Sequence, residues 1–208
     1  MYVSVISLES AGDIAALDES LTAWVRSLPA VRLALIGGLR DMAGGTPKQQ
    51  RGALIGFEDG GLLRPLRDGA LLPPVLRELG DAVRVESVEA CVEVPLEPRA
   101  PGQRFFALLA SFDYTPAAGD LESAERHYLS FHVPQSRKLP NLRGYLTGRM
   151  LAEGTRGTVR YRKGFEIFDN RDALAASFRS PEGEAVVKDG AFLCGNVSVH
   201  HFDAVVVT

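Results

Sequence analysis

The chain has 208 residues, 46% hydrophobic and 24% charged, with a formal net charge of −3. This is the composition of a globular protein with chain enough for one large core or two small ones, and the slight acidic excess argues against a nucleic-acid partner. No apolar run approaches the roughly 18 residues of a membrane span, and Met1-Tyr2-Val3-Ser4-Val5-Ile6 lacks the basic start of a signal peptide, so a cytoplasmic location away from membranes is expected.

Tyr2 to Leu8 alternates and predicts a strand. Gly12-Asp13 opens a helical pattern in which Ile14, Leu17, Leu21, Trp24 and Val25 share one face, and Pro29 ends it. Val31 to Ile36 and Ala53 to Phe57 read as strands around a Gly-rich loop, 37–50. The stretch from Leu62 to Leu79 is helical in part and broken near Pro73-Pro74, and Val83 to Val94 is a fourth strand. The order is βαββαβ.

Pro95 to Gly102 holds three prolines and no apolar period, which marks a linker. The order then repeats. Phe105 to Phe112 predicts a strand. Asp120 caps a helix whose apolar face is Leu121, Ala124, Tyr128 and Phe131. Leu142 to Leu146 and Val159 to Phe168 predict strands. Asp169 to Phe178 and a Pro181-initiated segment predict helices, and Asn196 to Val207 is the closing strand. Cys91 and Cys194 lie in strand-like runs, outside any Cys/His cluster, and are expected to be buried thiols.

The halves also echo in letters. Ser27-Leu28-Pro29-Ala30-Val31-Arg32 matches Lys138-Leu139-Pro140-Asn141-Leu142-Arg143 at an offset of 111 residues, and Phe57-Glu58-Asp59 matches Phe168-Asp169-Asn170 at the same offset. Each half predicts a ferredoxin-like α+β unit, a four-stranded antiparallel sheet with helices on one face. Two such sheets can cover each other's open faces. The expected organisation is residues 1–95, a linker at 96–103, and residues 104–208.

The segment Arg126-His127-Tyr128-Leu129-Ser130-Phe131-His132-Val133-Pro134 is followed by Leu139-Pro140-Asn141-Leu142 and Tyr145, then Phe165-Glu166-Ile167-Phe168 and Ser180-Pro181-Glu182-Gly183. It resembles the EthD-like family of the dimeric α/β-barrel superfamily, over residues 104–207. His127-Tyr128 stands where that family usually has Tyr-Trp, and Asn141 where Gly is common. The resemblance implies tandem ferredoxin-like units forming a dimeric α/β barrel within one chain, either a monomeric pseudo-dimer or a homodimer of it. It also implies small-molecule metabolism, without a cofactor in many members.

All four histidines lie in the second half. His132 follows Tyr128 by four residues, so the two share a helical face. A histidine near neutral pKa can remove a proton from an acidic carbon or phenol, and a tyrosine can hydrogen-bond the developing enolate. The competing reading has His132 capping the helix end before Pro134. His127, adjacent to Tyr128, lines the cleft or faces solvent. His200 and His201 point to opposite faces of the last strand, and His201 with Asp203 at alternate positions is placed to hydrogen-bond. Arg143, Arg149, Arg160 and Arg162 read either as a charged sheet edge or as carboxylate recognition. No metal motif is present, because His127 and His132 are five residues apart rather than four.

The leading expectation is a cofactor-independent lyase, cyclase or isomerase for a small apolar or aromatic carbonyl compound. Its site is the helix–sheet cleft of the second half, with His132 as base and Tyr128 as its catalytic partner. His127, Tyr145, Phe168, His200 and His201 bind substrate. The rivals are a non-catalytic small-molecule-binding accessory protein and a haem-linked or cofactor-free monooxygenase.

Overall fold

Strand alternation sorts the chain into an inner and an outer face. A computed structural model describes residues 1–9, 14–42, 49–96 and 100–207. Eight strands run through it: β1 (Tyr2–Glu9), β2 (Val31–Asp41), β3 (Gln49–Phe57), β4 (Val83–Val94), β5 (Arg104–Tyr114), β6 (Leu142–Met150), β7 (Arg162–Phe168) and β8 (Cys194–Val206). All pairings are antiparallel, and the order β1-β3-β2-β8-β5-β7-β6-β4 closes on itself. Each half contributes four consecutive strands of that circle, and the halves meet at β2–β8 and β4–β6.

The lumen is filled by one residue in two from every strand. Val5, Leu35, Leu54, Val88, Leu109, Phe165 and Phe202 are among its buried side chains. Each sheet therefore covers the other, as the patterning requires. At one end the filling turns polar. Lys163, 1% exposed, donates to the Glu86 carboxylate at 2.5 Å and to Ser111 Oγ at 2.9 Å.

The outer faces carry the helices. On the first half lie α1 (Ile14–Ser27), α2 (Leu63–Arg67) and α3 (Pro74–Glu78), the last started by Pro74 rather than stopped by it. On the second lie α4 (Leu121–His127), a π-helical turn over Tyr128–His132, α5 (Val133–Ser136), α6 (Arg171–Phe178) and α7 (Pro181–Leu193). Asp120, Asn170 and Ser180 cap α4, α6 and α7 by accepting from Ser123, Ala173 and Gly183 N–H groups.

The duplication is geometric as well as textual. β2 and β6 carry the same irregularity, between Val31 and Leu33 and between Leu142 and Gly144. Ala30 and Asn141, 111 residues apart, both adopt left-handed backbone, with φ of 55° and 62°. That conformation explains why glycine suits the Asn141 position. Gly37 and Gly148, at the same offset, lie at the two seams. A Cβ on Gly37 would stand 1.9 Å from the Asp203 carbonyl oxygen, and one on Gly148 would stand 2.0 Å from that of Glu89.

Several expectations need correction. Val159 is exposed and lies before β7, which starts at Arg162. Leu121, in the first turn of α4, is exposed at 55%, and Phe131 at 46%, the latter because the π turn rotates it away from the sheet that Ala124 and Tyr128 face. Cys91 is exposed, since alternation along β4 gives the lumen to Val88 and Ala90; Cys194 is half-buried. The helix start at Gly12-Asp13, loop positions 43–48 and linker positions 97–99 lie outside the described residues.

The seam glycines give a direct test of closure. Gly37→Ala and Gly148→Ala should each cost about 2–3 kcal/mol or more, because the clash is with backbone. Thermal melting would show it, and a melting temperature within a degree of wild type for both would refute the close approach.

Candidate active site

The equivalent outer faces of the two sheets differ in chemistry. In the first half, Ser4 and Ala34 flank Ile55, and Ile6 and Ile36 flank Ala53. All six are buried and pack under α1 or against the loop described below. In the second half, Leu108 and Tyr145 flank Glu166, and Ala110 and Thr147 flank Gly164. His201 and Val199 lie opposite Leu108 and Ala110 on β8, where the first half has Ser87 and Val85. The second half thus sets Tyr145, Thr147, Glu166 and His201 where the first has Ala34, Ile36, Ile55 and Ser87.

The first half's face is sealed. The segment from Leu151 to Arg156, between β6 and β7, crosses over and plugs it. Ser87 N–H donates to Thr155 Oγ1 at 3.1 Å, Ser87 Oγ donates to the Gly154 carbonyl at 2.6 Å, and the Ser4 and Ser87 hydroxyls bond each other at 2.7 Å. The Arg156 guanidinium donates to the Arg67 and Gly80 carbonyls.

Among the described residues, nothing comparable covers the second half's face, although Tyr145, Thr147 and Glu166 on it are buried. Leu108, Ala110, Val199 and His201 are half-buried, whereas their counterparts Ser4, Ile6, Val85 and Ser87 are fully buried. Above Gly164, among the described residues, only Tyr145 Cε2 comes within 4 Å of where a Cβ would sit, and that at 4.0 Å. The described residues thus leave room for a candidate cleft between the sheet and the helices, with small residues as its floor.

The wall next to α4 is a polar network. The Tyr145 hydroxyl lies 3.2 Å from that of Tyr128, which lies 2.6 Å from Thr147 Oγ1. Thr147 donates on to the Lys163 carbonyl at 3.3 Å. The His132 ring stacks on the Tyr128 ring at 5.2 Å, and the Arg162 guanidinium packs 4.6 Å from that ring's centre. Glu125 accepts from Arg162 at 2.6 and 2.9 Å and from the Tyr114 hydroxyl at 2.5 Å. Burial works against ionised Glu125, but Arg162 and Tyr114 hold it down at about 2. Arg162 is thus committed to a carboxylate of the protein itself. Arg143, Arg149 and Arg160 likewise pair with Asp169, Glu125 and Asp113.

Asp189 on α7 joins the histidines. Its carboxylate accepts from His132 Nδ1 at 2.8 Å and from His127 Nε2 at 2.7 Å. This fixes the proton of His132 on Nδ1 and leaves a lone pair on Nε2. Burial depresses the His132 pKa against the pull of Asp189, which favours the neutral ring. The same contacts tie α4 and α5 to α7, so the clamp is structural whatever else it does.

Of the residues singled out by sequence, Tyr128, His132 and Tyr145 come together in this wall, with His127 outside it beside Phe131 and Phe192. His201 stands at the mouth, edge-on to Phe106 at 5.2 Å, where burial, Arg171 and Arg40 lower its pKa. Asp203 is bound by Arg104 instead of His201. Phe168 is fully buried among Phe106, Leu139, Leu174 and Val186. His200 is not in the cleft. It shares the lumen side of β8 with Phe202 and interacts with Glu86. Asp189 and Glu166 escaped sequence reasoning. Glu166 left a trace, since Phe165-Glu166-Ile167-Phe168 aligns at 111 residues with Leu54-Ile55-Gly56-Phe57, which puts a charge where the first half has isoleucine.

No protein-family model matches the chain, and no curated protein is similar to it. Solved structures do match. An anthrone oxidase-like protein is 16% identical over 98% of this chain and 91% of its own, with a TM-score of 0.62. A candidate monooxygenase of Fusobacterium nucleatum is 11% identical over 100% and 92%, with a TM-score of 0.67. The chain is a dimeric α/β barrel closed within one polypeptide. An EthD family protein of Bacillus halodurans also matches, 24% identical over 47% of this chain and 95% of its own, with a TM-score of 0.40. With the first two, at these identities, the fold alone is shared. No described helix is long and apolar enough to cross a membrane.

Glu166 gives the barrel a pH signature. Burial alone pushes its carboxyl up to about 7, against roughly 4.3 in an unfolded chain. Its contribution is fully present below the unfolded value, where both states are protonated, and is lost as pH rises through 7. Glu166→Gln should therefore gain on wild type between pH 5 and 8, by on the order of 2–3 kcal/mol. Urea unfolding at each pH would measure it. Parallel curves would mean that the carboxyl is solvated or paired in solution.

Proposed function

We propose that this protein is a cofactor-independent monooxygenase that oxidises a small aromatic carbonyl compound in the second-half cleft. The observation that carries the reading is the open, polar-edged cleft in one half against the sealed apolar face of the other. The likeness to an anthrone oxidase-like protein and to a candidate monooxygenase favours oxygen chemistry over the lyase, cyclase or isomerase alternatives, which the same acid–base groups would serve.

The chemistry follows from the groups present. His132 Nε2 removes a proton from a methylene group activated by flanking rings, with Asp189 holding the imidazole in the required tautomer. The Tyr145 hydroxyl stabilises the oxyanion that forms as the negative charge moves onto the carbonyl oxygen, and Tyr128, whose own proton goes to Thr147, positions it. The electron-rich anion then reduces dioxygen directly. In balance, R–CH2–R′ + O2 gives R–C(=O)–R′ + H2O: the carbon loses four electrons, and the dioxygen gains them. The apolar walls keep bulk water from the anion.

Oxygen-electrode assays with anthrone as probe test this. Uptake should match substrate loss one to one. His132→Gln, which can still donate to Asp189, should lower the rate by about 100-fold or more with little change in melting temperature. Turnover without oxygen would return the reading to a lyase or isomerase, and tight binding with no turnover would make the protein an accessory binder.

A further inference from the structure

Glu166 takes no part in the proton transfer above, and folding alone does not account for it. The residue is 8% exposed, and no described group gives it a hydrogen bond or an ion pair; burial is the only influence on its titration. Its carboxyl oxygens are not among the sealed polar atoms, so they keep a little accessible surface instead of a protein donor. The first half places the fully buried Ile55 at the same position, so the fold itself is content with an apolar side chain. Beside Glu166 on the same face of β7, Gly164 leaves the floor open. A carboxyl kept without a protein partner at the edge of open space points to a partner from outside.

The surroundings select its kind. Arg162 is taken by Glu125 and does not neutralise Glu166. Arg40 and Arg171 act on His201 strongly enough to lower its pKa, which disfavours a cationic ligand beside it. The neighbouring Tyr145 ring and the Leu108 and Ala110 side chains suit a flat apolar body.

We propose that Glu166 is the specificity residue of the cleft and accepts a hydrogen bond from a hydroxyl group on an aromatic ligand. The inference rests on the cleft reading above and deepens it, naming hydroxyaromatic compounds as the preferred class. Glu166 fixes which ring enters and how it lies, while His132 handles the proton.

The test compares 2-naphthol with 2-methoxynaphthalene, which lacks the donor, by calorimetric titration of the full chain. Wild type should prefer the naphthol by about tenfold or more. Glu166→Ile, which copies the first half, should bring the two affinities within about twofold while keeping the ether's affinity and a cooperative melt. Glu166→Gln, still an acceptor, should keep part of the preference. A preference that survives in Glu166→Ile overturns the proposal, as does tighter binding of 2-naphthylmethylammonium than of the naphthol. The two readings fail separately. Loss of preference in Glu166→Ile without oxygen uptake by any form removes the oxygenase reading and leaves this one. Oxygen uptake with an unchanged preference does the reverse.

Discussion

The rest of the structure depends on the contact of two sheets across an apolar lumen. Each sheet has one face too hydrophobic for water, and each finds its cover in the other. Closing the circle demands two seams between halves, and at each a glycine lets a neighbouring carbonyl approach within 2 Å of where a Cβ would stand. Gly37 and Gly148 are equivalent positions, so one local solution serves both seams. Once the lumen is filled by the halves themselves, any small-molecule site on this face of the sheets has to lie on the outer side, beneath the helices.

There the halves part company. The first half fills its outer face with Ala34, Ile36, Ala53 and Ile55 and then borrows a loop from the second half to finish the seal. In the second half no described residue plugs the space over Gly164, around which stand Tyr145, Thr147, Glu166 and His201. The asymmetry is consistent in its parts: the polar substitutions, the missing bulk on the floor and the partial exposure of the β5 and β8 residues coincide in one place. Stability and a site pull in opposite directions on such a face. Duplication lets one copy supply the packed core while the other carries the cleft.

Much of the fold was legible because alternation and turn chemistry are local. Most of the strands, the cap at Asp120, the helix start at Pro181, the repeat at 111 residues and the pairing of sheet with sheet follow from sequence pattern. The site was only partly so. Tyr128 and His132 stood out by residue type and spacing and Tyr145 by the family resemblance, and they do share a wall. Asp189 did not, because its partners lie 57 and 62 residues away and only helix packing brings them near. His200 looked as eligible as His201, and only the sheet's two faces separate them. The π turn had no signal that periodicity could detect, since it swings Phe131 outward where a regular helix would turn it in. Glu166 was hidden by its apolar neighbours and shows itself when the two halves are aligned on their shared register.

The central claim is that one half carries the site and the other does not. Its most direct test is amide chemical-shift mapping during titration of the 15N-labelled protein with 2-naphthol. The largest changes should fall at Ala110, Gly164 and Val199, with none at their counterparts Ile6, Ala53 and Val85. Shifts concentrated in the first half, or at lumen residues such as Leu54 and Phe202, would contradict the account.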